Sequence, residues 1–174
     1  MAMITWEKGE VPDGMRIRQI YGICFTQDGR VLLRIENGKY KLTGGKPESN
    51  DADRNETLKR EFSEEVNTVI GNPVTVGYQL VDEEDGSEKY AQIRMTALIE
   101  SIGEPKPDPD RPGKWVYGRY LTSPSEAARL LNWGEAGARQ IHDAFETAKK
   151  EFGLNDEIRG DQLINEEIHM VLNY

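Results

Sequence analysis

Gly44-Gly45-Lys46-Pro47-Glu48, a short polar stretch, and then Arg60-Glu61-Phe62-Ser63-Glu64-Glu65 decide how this chain is read. The second half places three carboxylates within five residues of a predicted helix. Glu61 and Glu65 stand at i and i+4, one turn apart on one face, and Glu64 lies beside them. Like charges at this spacing cost a few tenths of a kcal/mol per pair on an isolated helix. A sequence that keeps them together leaves them to solvent or uses them to hold something positive. Hard divalent cations, which take oxygen ligands, are the natural occupant.

The surrounding residues give that helix a place in a fold. Leu58, Phe62, Val66 and Val69 recur at helical spacing and predict an apolar face packed on a core. Asp53 with Glu56 three residues later reads as a capping box, which starts the helix near Arg54. Upstream, 31–35 and 40–43 read as strands, and the glycine pair follows directly. Strand, glycine turn, polar loop and acidic helix in this order make a scaffold for phosphate and metal.

The stretch from Gly44 to Glu65 resembles the signature of the Nudix hydrolases. That signature runs glycine, five residues, glutamate, seven residues, Arg-Glu, an apolar residue, any residue, Glu-Glu, any residue, glycine, apolar. The resemblance extends loosely over about residues 16–150. Four positions depart from it. Asp51 replaces the first glutamate, and its spacing to Arg60 is one residue too long. Asn50 stands where a glycine often precedes that glutamate, while Asn67 and Thr68 replace the closing glycine and apolar residue. Asparagine tolerates the left-handed backbone conformation better than other non-glycine residues.

The resemblance implies a set of roles. Glu61 and Glu65 would be the principal ligands of Mg²⁺ or Mn²⁺, and Glu64 a third ligand or the group that orients water. The Gly44 carbonyl would be a further ligand. Arg60 would belong to the catalytic set with Glu61 and Glu64, tying its loop to the helix through a carboxylate; Asp51, Asp53 and Glu48 each compete for that pairing. A late carboxylate from the loop before the final sheet strand would come from Glu104, Asp108 or Asp110, which with Lys46 are the candidate substrate-side residues. The implied fold is an α/β/α sandwich around a mixed β-sheet; periodicity alone gives α/β or α+β without separating the two. The implied activity is metal-dependent hydrolysis of the diphosphate bond in a nucleoside triphosphate, or in a nucleoside diphosphate linked to another group. The alternative is a non-catalytic module that keeps the fold and binds a nucleotide or a protein.

Composition is consistent with this. The chain has 174 residues, 31 Asp plus Glu against 22 Lys plus Arg, and a net charge of −9. That length suits one domain with a buried core. The acidity argues against a general nucleic-acid surface and suits a small anionic substrate only with local neutralisation. No apolar run approaches the roughly 18 residues of a membrane span, and the N-terminal residues lack the form of a signal peptide. One cysteine forms no internal disulfide, so a cytoplasmic location is expected. Cys24 reads as a small core residue, and His142 as a surface or packing residue of a helix. Trp115, Tyr117 and Tyr120 read as packing residues of a late strand, with stacking on a base as the alternative.

The remaining punctuation predicts the rest of the order. Strands at 16–26 and 31–35 join through Asp28-Gly29 as a hairpin. A longer hairpin pairs 74–81 with 90–98, and 103–113 form a proline-stiffened loop. A strand at 114–121 leads to helices at 124–131 and 135–151. Residues 1–153 are read as the Nudix-like domain and 154–174 as a C-terminal extension. In it Leu163, Ile164, Ile168, Val171 and Leu172 fall on one side of a helix. That helix would dock on the domain or on a second copy in a homodimer.

Overall fold

The computed structural model describes residues 1–113 and 115–155 together with the backbone of 162–164. In chain order the strands before the first helix are β1 (Met3–Lys8), β2 (Arg16–Gly22), β3 (Val31–Glu36), β4 (Lys39–Lys41) and β5 (Thr43–Gly45). Helix α1 (Arg54–Val66) follows, then β6 (Thr68–Ile70), β7 (Val74–Asp82), β8 (Tyr90–Thr96), β9 (Ile99–Ile102) and β10 (Gly118–Thr122). Helices α2 (Pro124–Leu131) and α3 (Gly134–Phe152) come next, and β11 (Gln162–Ile164) closes the described chain.

The strands form a five-stranded sheet in the order β1-β7-β8-β2-β5, a four-stranded sheet in the order β11-β10-β3-β4, and the pair β6-β9. The large sheet is mixed, since β2 runs parallel to β8 and every other pairing in it is antiparallel. Side-chain alternation along β8 splits the interior in two. Ala91, Ile93 and Met95 join Leu58, Phe62 and Val66 of α1 in one core. Arg94, between them, meets Gln140 of α3 on the other side. There Ile141, Ala144 and Ala148 of α3 pack with Ile23, Phe25, Val31 and Leu33 in a second core. Helices on both faces of a mixed sheet make the α/β/α sandwich. Each fully buried Leu, Phe or Val contributes about 1.5–3 kcal/mol, so the apolar face of α1 fixes its seat on the sheet.

Several local expectations hold. Asp53 caps α1, its side chain accepting from the Glu56 amide, and Ser123 caps α2 in the same way ahead of Pro124. Asn67 ends α1 in the left-handed conformation at φ 45°, where the family pattern has glycine. Cys24 is buried, and burial pushes its thiol far above the usual range. Tyr117 is buried as a packing residue, and His142 is exposed on α3.

Other expectations change. Residues 16–26 and 31–35 pair only at the turn: β2 pairs with β5 and β8 and β3 with β4 and β10, while Phe25 bridges to Val31 and the Leu32 amide donates to the Cys24 carbonyl. Asp28-Gly29 still turns, with the Gly29 amide donating to the Thr26 carbonyl, but the chain passes from one sheet to the other there. Val69 belongs to β6 and is exposed, since α1 stops at Val66. The strand expected from 114 begins at Gly118, because the Asp108 amide donates to the Trp115 carbonyl and draws that segment into the preceding loop. Gln162–Ile164 form a strand antiparallel to β10, with Leu163 opposite Tyr120, where a helix was expected to begin. The rest of that expected helix, 165–172, lies outside the described residues.

Candidate active site

The acidic face of α1 is held by a guanidinium. Arg60 donates from Nε to Asp51 Oδ1 and from Nη2 to Asp51 Oδ2, both at 3.0 Å, a bidentate pair. Its Nη2 also donates to the Lys46 carbonyl at 3.2 Å. Nη1 faces the helix instead, 3.0 Å from Glu61 Oε1 and 3.1 Å from Glu64 Oε2. Glu48 lies farther off, at 3.4 Å, and Asp53 is occupied as the helix cap. The one-residue insertion is therefore absorbed by Asp51. The Asp51 carboxylate also accepts from the Glu48 amide and the Thr57 hydroxyl. Arg60 above all, then these two donors, holds the Asp51 carboxyl well below the usual range.

The carboxylates opposite are in a different state. Burial raises the Glu61 pKa against the pull of Arg60, with Asp110 and Asp108 adding to the rise. Burial and a hydrogen bond with Asp110 raise Glu64 to about 7. Glu65 is only 5% exposed, and its Oε2 pairs with Arg34 of β3. The 103–113 loop therefore brings Asp110 to Glu64 and places Asp108 within electrostatic reach of Glu61. Asp108 is itself buried, and its Oδ1 accepts from the Asp110 amide. Glu104 is exposed, and its carbonyl accepts from Asn67 at the end of α1, so it ties the loop to the helix. Lys46 is exposed, and its backbone carbonyl is the atom that meets Arg60.

The glycine pair makes room for this cluster. A Cβ on Gly45 would lie 2.5 Å from Glu61 Oε1, and one on Gly44 would lie 2.1 Å from the Ile20 carbonyl. The far end of α1 is anchored too. Arg119, fully buried on β10, donates from Nη1 to the carbonyls of Val66 and Gly103. A cation at the C-terminal end of a helix complements its dipole.

These residues can be tested against the divalent ion that the family pattern implies. The donor chemistry fits: Glu61, Glu64, Glu65, Asp108 and Asp110 are all oxygen donors, three of them crowded on α1, where burial opposes the negative charge of Glu61 and Glu64. As they stand, no three His, Cys, Asp or Glu among the described residues are arranged to hold a metal ion. Arg60 Nη1 takes the space between Glu61 and Glu64 instead, and Arg34 takes Glu65.

Arg34 also leads away from the acidic cluster. It lines a cavity of about 940 Å³ together with Arg94, the aromatic residues Tyr21, Tyr40 and Trp133, and others. That volume falls in the range of small-molecule sites. Neither Arg34 nor Arg94 was singled out from the sequence. The available signal was a charged residue inside each apolar strand, Val31-Leu-Leu-Arg-Ile35 and Tyr90-Ala-Gln-Ile-Arg-Met95. Trp115 lies under the Arg111 guanidinium, 4.8 Å from its Cζ, edge-on to Tyr117, and Tyr120 lies edge-on to Tyr40.

No family model matches the chain, and no curated protein does. Solved structures do match. A pyrophosphohydrolase from Bacillus subtilis, BsRppH, is 17% identical, with a TM-score of 0.62 over 83% of this chain and 90% of that one. A MutT structure from work on the Aliivibrio salmonicida and Vibrio cholerae proteins is 16% identical, with a TM-score of 0.53 over 76% of this chain and 98% of that one. A Nudix hydrolase from Nitrosomonas europaea is 17% identical, with a TM-score of 0.53 over 76% and 90%. At these identities the likeness speaks for architecture, and with the layers and the acidic helix already described it establishes that the chain has the Nudix fold.

Proposed function

We propose that this protein is a hydrolase that uses Mg²⁺ or Mn²⁺ to cleave a diphosphate bond in a nucleotide-type substrate. The observation that carries the reading is the junction at Arg34. One guanidinium pairs with Glu65 of the acidic helix and also lines the large cavity, so an oxygen-rich cation site and an organic-moiety site adjoin. Glu61, Glu64 and Glu65 would hold the metal, with Asp110 and the Gly44 carbonyl as further candidates. Bound there, a divalent ion neutralises phosphate oxygens and acidifies water.

The chain's own residues do the rest. Asp51 fixes Arg60, and Arg60 sets the side-chain positions of Glu61 and Glu64 through Nη1. Loop 103–113 brings Asp110 against Glu64 and covers that side of the site. Tyr21, Tyr40 and Trp133 supply aromatic surface for the organic part of the substrate. A helix long and apolar enough to cross a membrane is absent among the described residues.

The test is product release from a panel of nucleoside triphosphates and nucleoside diphosphates linked to sugars or other groups, with Mg²⁺, with Mn²⁺ and with excess chelator. The expected result is turnover of at least one class that stops with chelator. Turnover undiminished by chelator would overturn the metal role. Binding of nucleotides without turnover on any of the panel would overturn the enzyme reading.

A further inference from the structure

The large cavity has an uneven charge. Its ionisable lining residues, tyrosines aside, are Arg34, Lys39, Lys41 and Arg94, with no acid among them, in a chain of net charge −9. Two of the four are already matched: Arg34 by Glu65 and Glu36, and Lys41 by Glu36. Arg94 is not. It is 3% exposed, its Nε donates to Gln140 Oε1 at 3.0 Å, and its Nη1 has no hydrogen-bond partner. Among the described residues no carboxylate forms an ion pair with it. Its Cζ lies 5.0 Å from the Tyr21 ring centre and 5.6 Å from that of Trp133. Burial lowers its pKa to about 10, so it still carries its charge at neutral pH. Arg119, buried to a similar degree, is met by two backbone carbonyls through Nη1.

A buried charge without a counter-charge is costly, and the cost is relieved by whatever brings the opposite charge. A planar guanidinium beside aromatic rings leaves its edge for an acceptor pair, the geometry of phosphate and carboxylate recognition. We propose that Arg94 forms an anion subsite in the cavity, receiving a second phosphate or a carboxylate carried by the organic part of the substrate, away from the bond to be cut. The inference rests on the hydrolase reading for which end of the substrate faces the acidic helix. It names a substrate class: molecules with negative charge at both ends.

The test separates binding from turnover. Calorimetry on the full chain with Mg²⁺ compares adenosine 5′-monophosphate with adenosine 2′,5′- and 3′,5′-bisphosphate, none of which contains a diphosphate bond. Guanosine 5′-monophosphate serves as the neutral-acceptor control. At least one bisphosphate is expected to bind about tenfold or more tightly than the adenosine monophosphate, the scale of one charge-assisted contact. That advantage should fall below about threefold in Arg94→Gln, with folding checked by thermal melting. Lys39 is exposed at the same cavity, so Lys39→Glu leaves the core intact and should cut the advantage by about threefold. Equal binding of mono- and bisphosphates overturns the proposal, as does an advantage that stays undiminished in either folded variant. A preference for guanosine over adenosine monophosphate with no gain from a second phosphate assigns Arg94 to a base edge and also overturns it. In each of these outcomes, cleavage of a diphosphate in the separate panel would leave the hydrolase reading standing.

Discussion

Replacing Asp51 by asparagine keeps the shape of the side chain and removes its charge. In the structure that carboxylate receives two hydrogen bonds from Arg60, one from the Glu48 amide and one from the Thr57 hydroxyl. Asparagine offers one accepting oxygen; placed at Oδ2 it keeps the Glu48, Thr57 and Arg60 Nη2 bonds, and Arg60 Nε, the other half of the fork, then faces the NH₂ group. Removing one partner of a fully buried pair costs about 3–5 kcal/mol, and of an exposed pair about 0–1. The side chains here are 6% and 16% exposed and polar groups surround them, which places the loss at about 2–3 kcal/mol. For a chain of this size that lowers the melting temperature by about 4–12 °C. Glu48→Gln, whose carboxylate is half exposed and 3.4 Å away, should cost less than about 0.5 kcal/mol. Asp53→Asn should cost as little, because asparagine caps a helix equally well. The pH dependence gives a second check. The folded carboxyl lies below its unfolded value of about 3.9, so its contribution is present above that value and fades as pH falls through the folded pKa. The gap between parent and Asp51→Asn in metal-free urea unfolding should be constant from about pH 5 to 8 and close below about pH 4. A gap near zero at pH 7, or one that widens in acid, would refute the assignment of Asp51 as the partner of Arg60.

Glu61→Gln should lower kcat by about a hundredfold or more, the scale of a lost electrostatic group; metal-free stability should hold or rise, because burial already opposes the Glu61 charge, and near-parental turnover would show an ordinary helix residue. Asp110→Asn should reduce kcat/KM by about tenfold or more, while Glu104→Gln, altering a side chain whose backbone carbonyl makes the tie to Asn67, should stay within about twofold; equal effects would remove the distinction. Gly45→Ala should weaken activity at least about tenfold with a modest melting shift, since the new Cβ would displace the flexible end of Glu61 rather than backbone.

What the sequence revealed was what is local. Both capping boxes are side chain to backbone contacts within four residues, so Asp53 with Glu56 and Ser123 with Glu126 could be read from spacing alone. The acidic face of α1 was legible for the same reason. Failures came where the partner is distant. Asp28-Gly29 is a real turn, but the Ile23 amide donates to Met95 and the Phe25 amide to Ala97, so the chain before the turn also follows β8 and meets β3 only at the tip, through Phe25 with Val31 and Cys24 with Leu32. The choice among Asp51, Asp53 and Glu48 needed the helix geometry, which puts Asp53 under the first turn and leaves Asp51 facing Arg60. The cavity was illegible because its walls come from β1, β2, β3, β4, β7, β8 and the junction of α2 with α3. Arg94 and Trp133 are 39 positions apart in the sequence, and only the sheet brings them together.

The arrangement of cations explains how so acidic a helix face is tolerated. Arg60 enters from within α1 and places one nitrogen between Glu61 and Glu64; Arg34 enters from β3 and meets Glu65. Both are themselves constrained, Arg60 by Asp51 and Arg34 by Glu36, and Arg34 also by the Tyr117 face at 4.5 Å. Because each guanidinium has a second acid outside the cluster, it can loosen its hold on the helix carboxylates without being left uncompensated. A single buried ion pair lacks that freedom, since parting it strands both charges. The carboxylates of α1 are therefore held in place by cations that have somewhere else to go, which is the electrostatic condition that the proposed function requires: a site ordered beforehand and able to open to an arriving cation and anion.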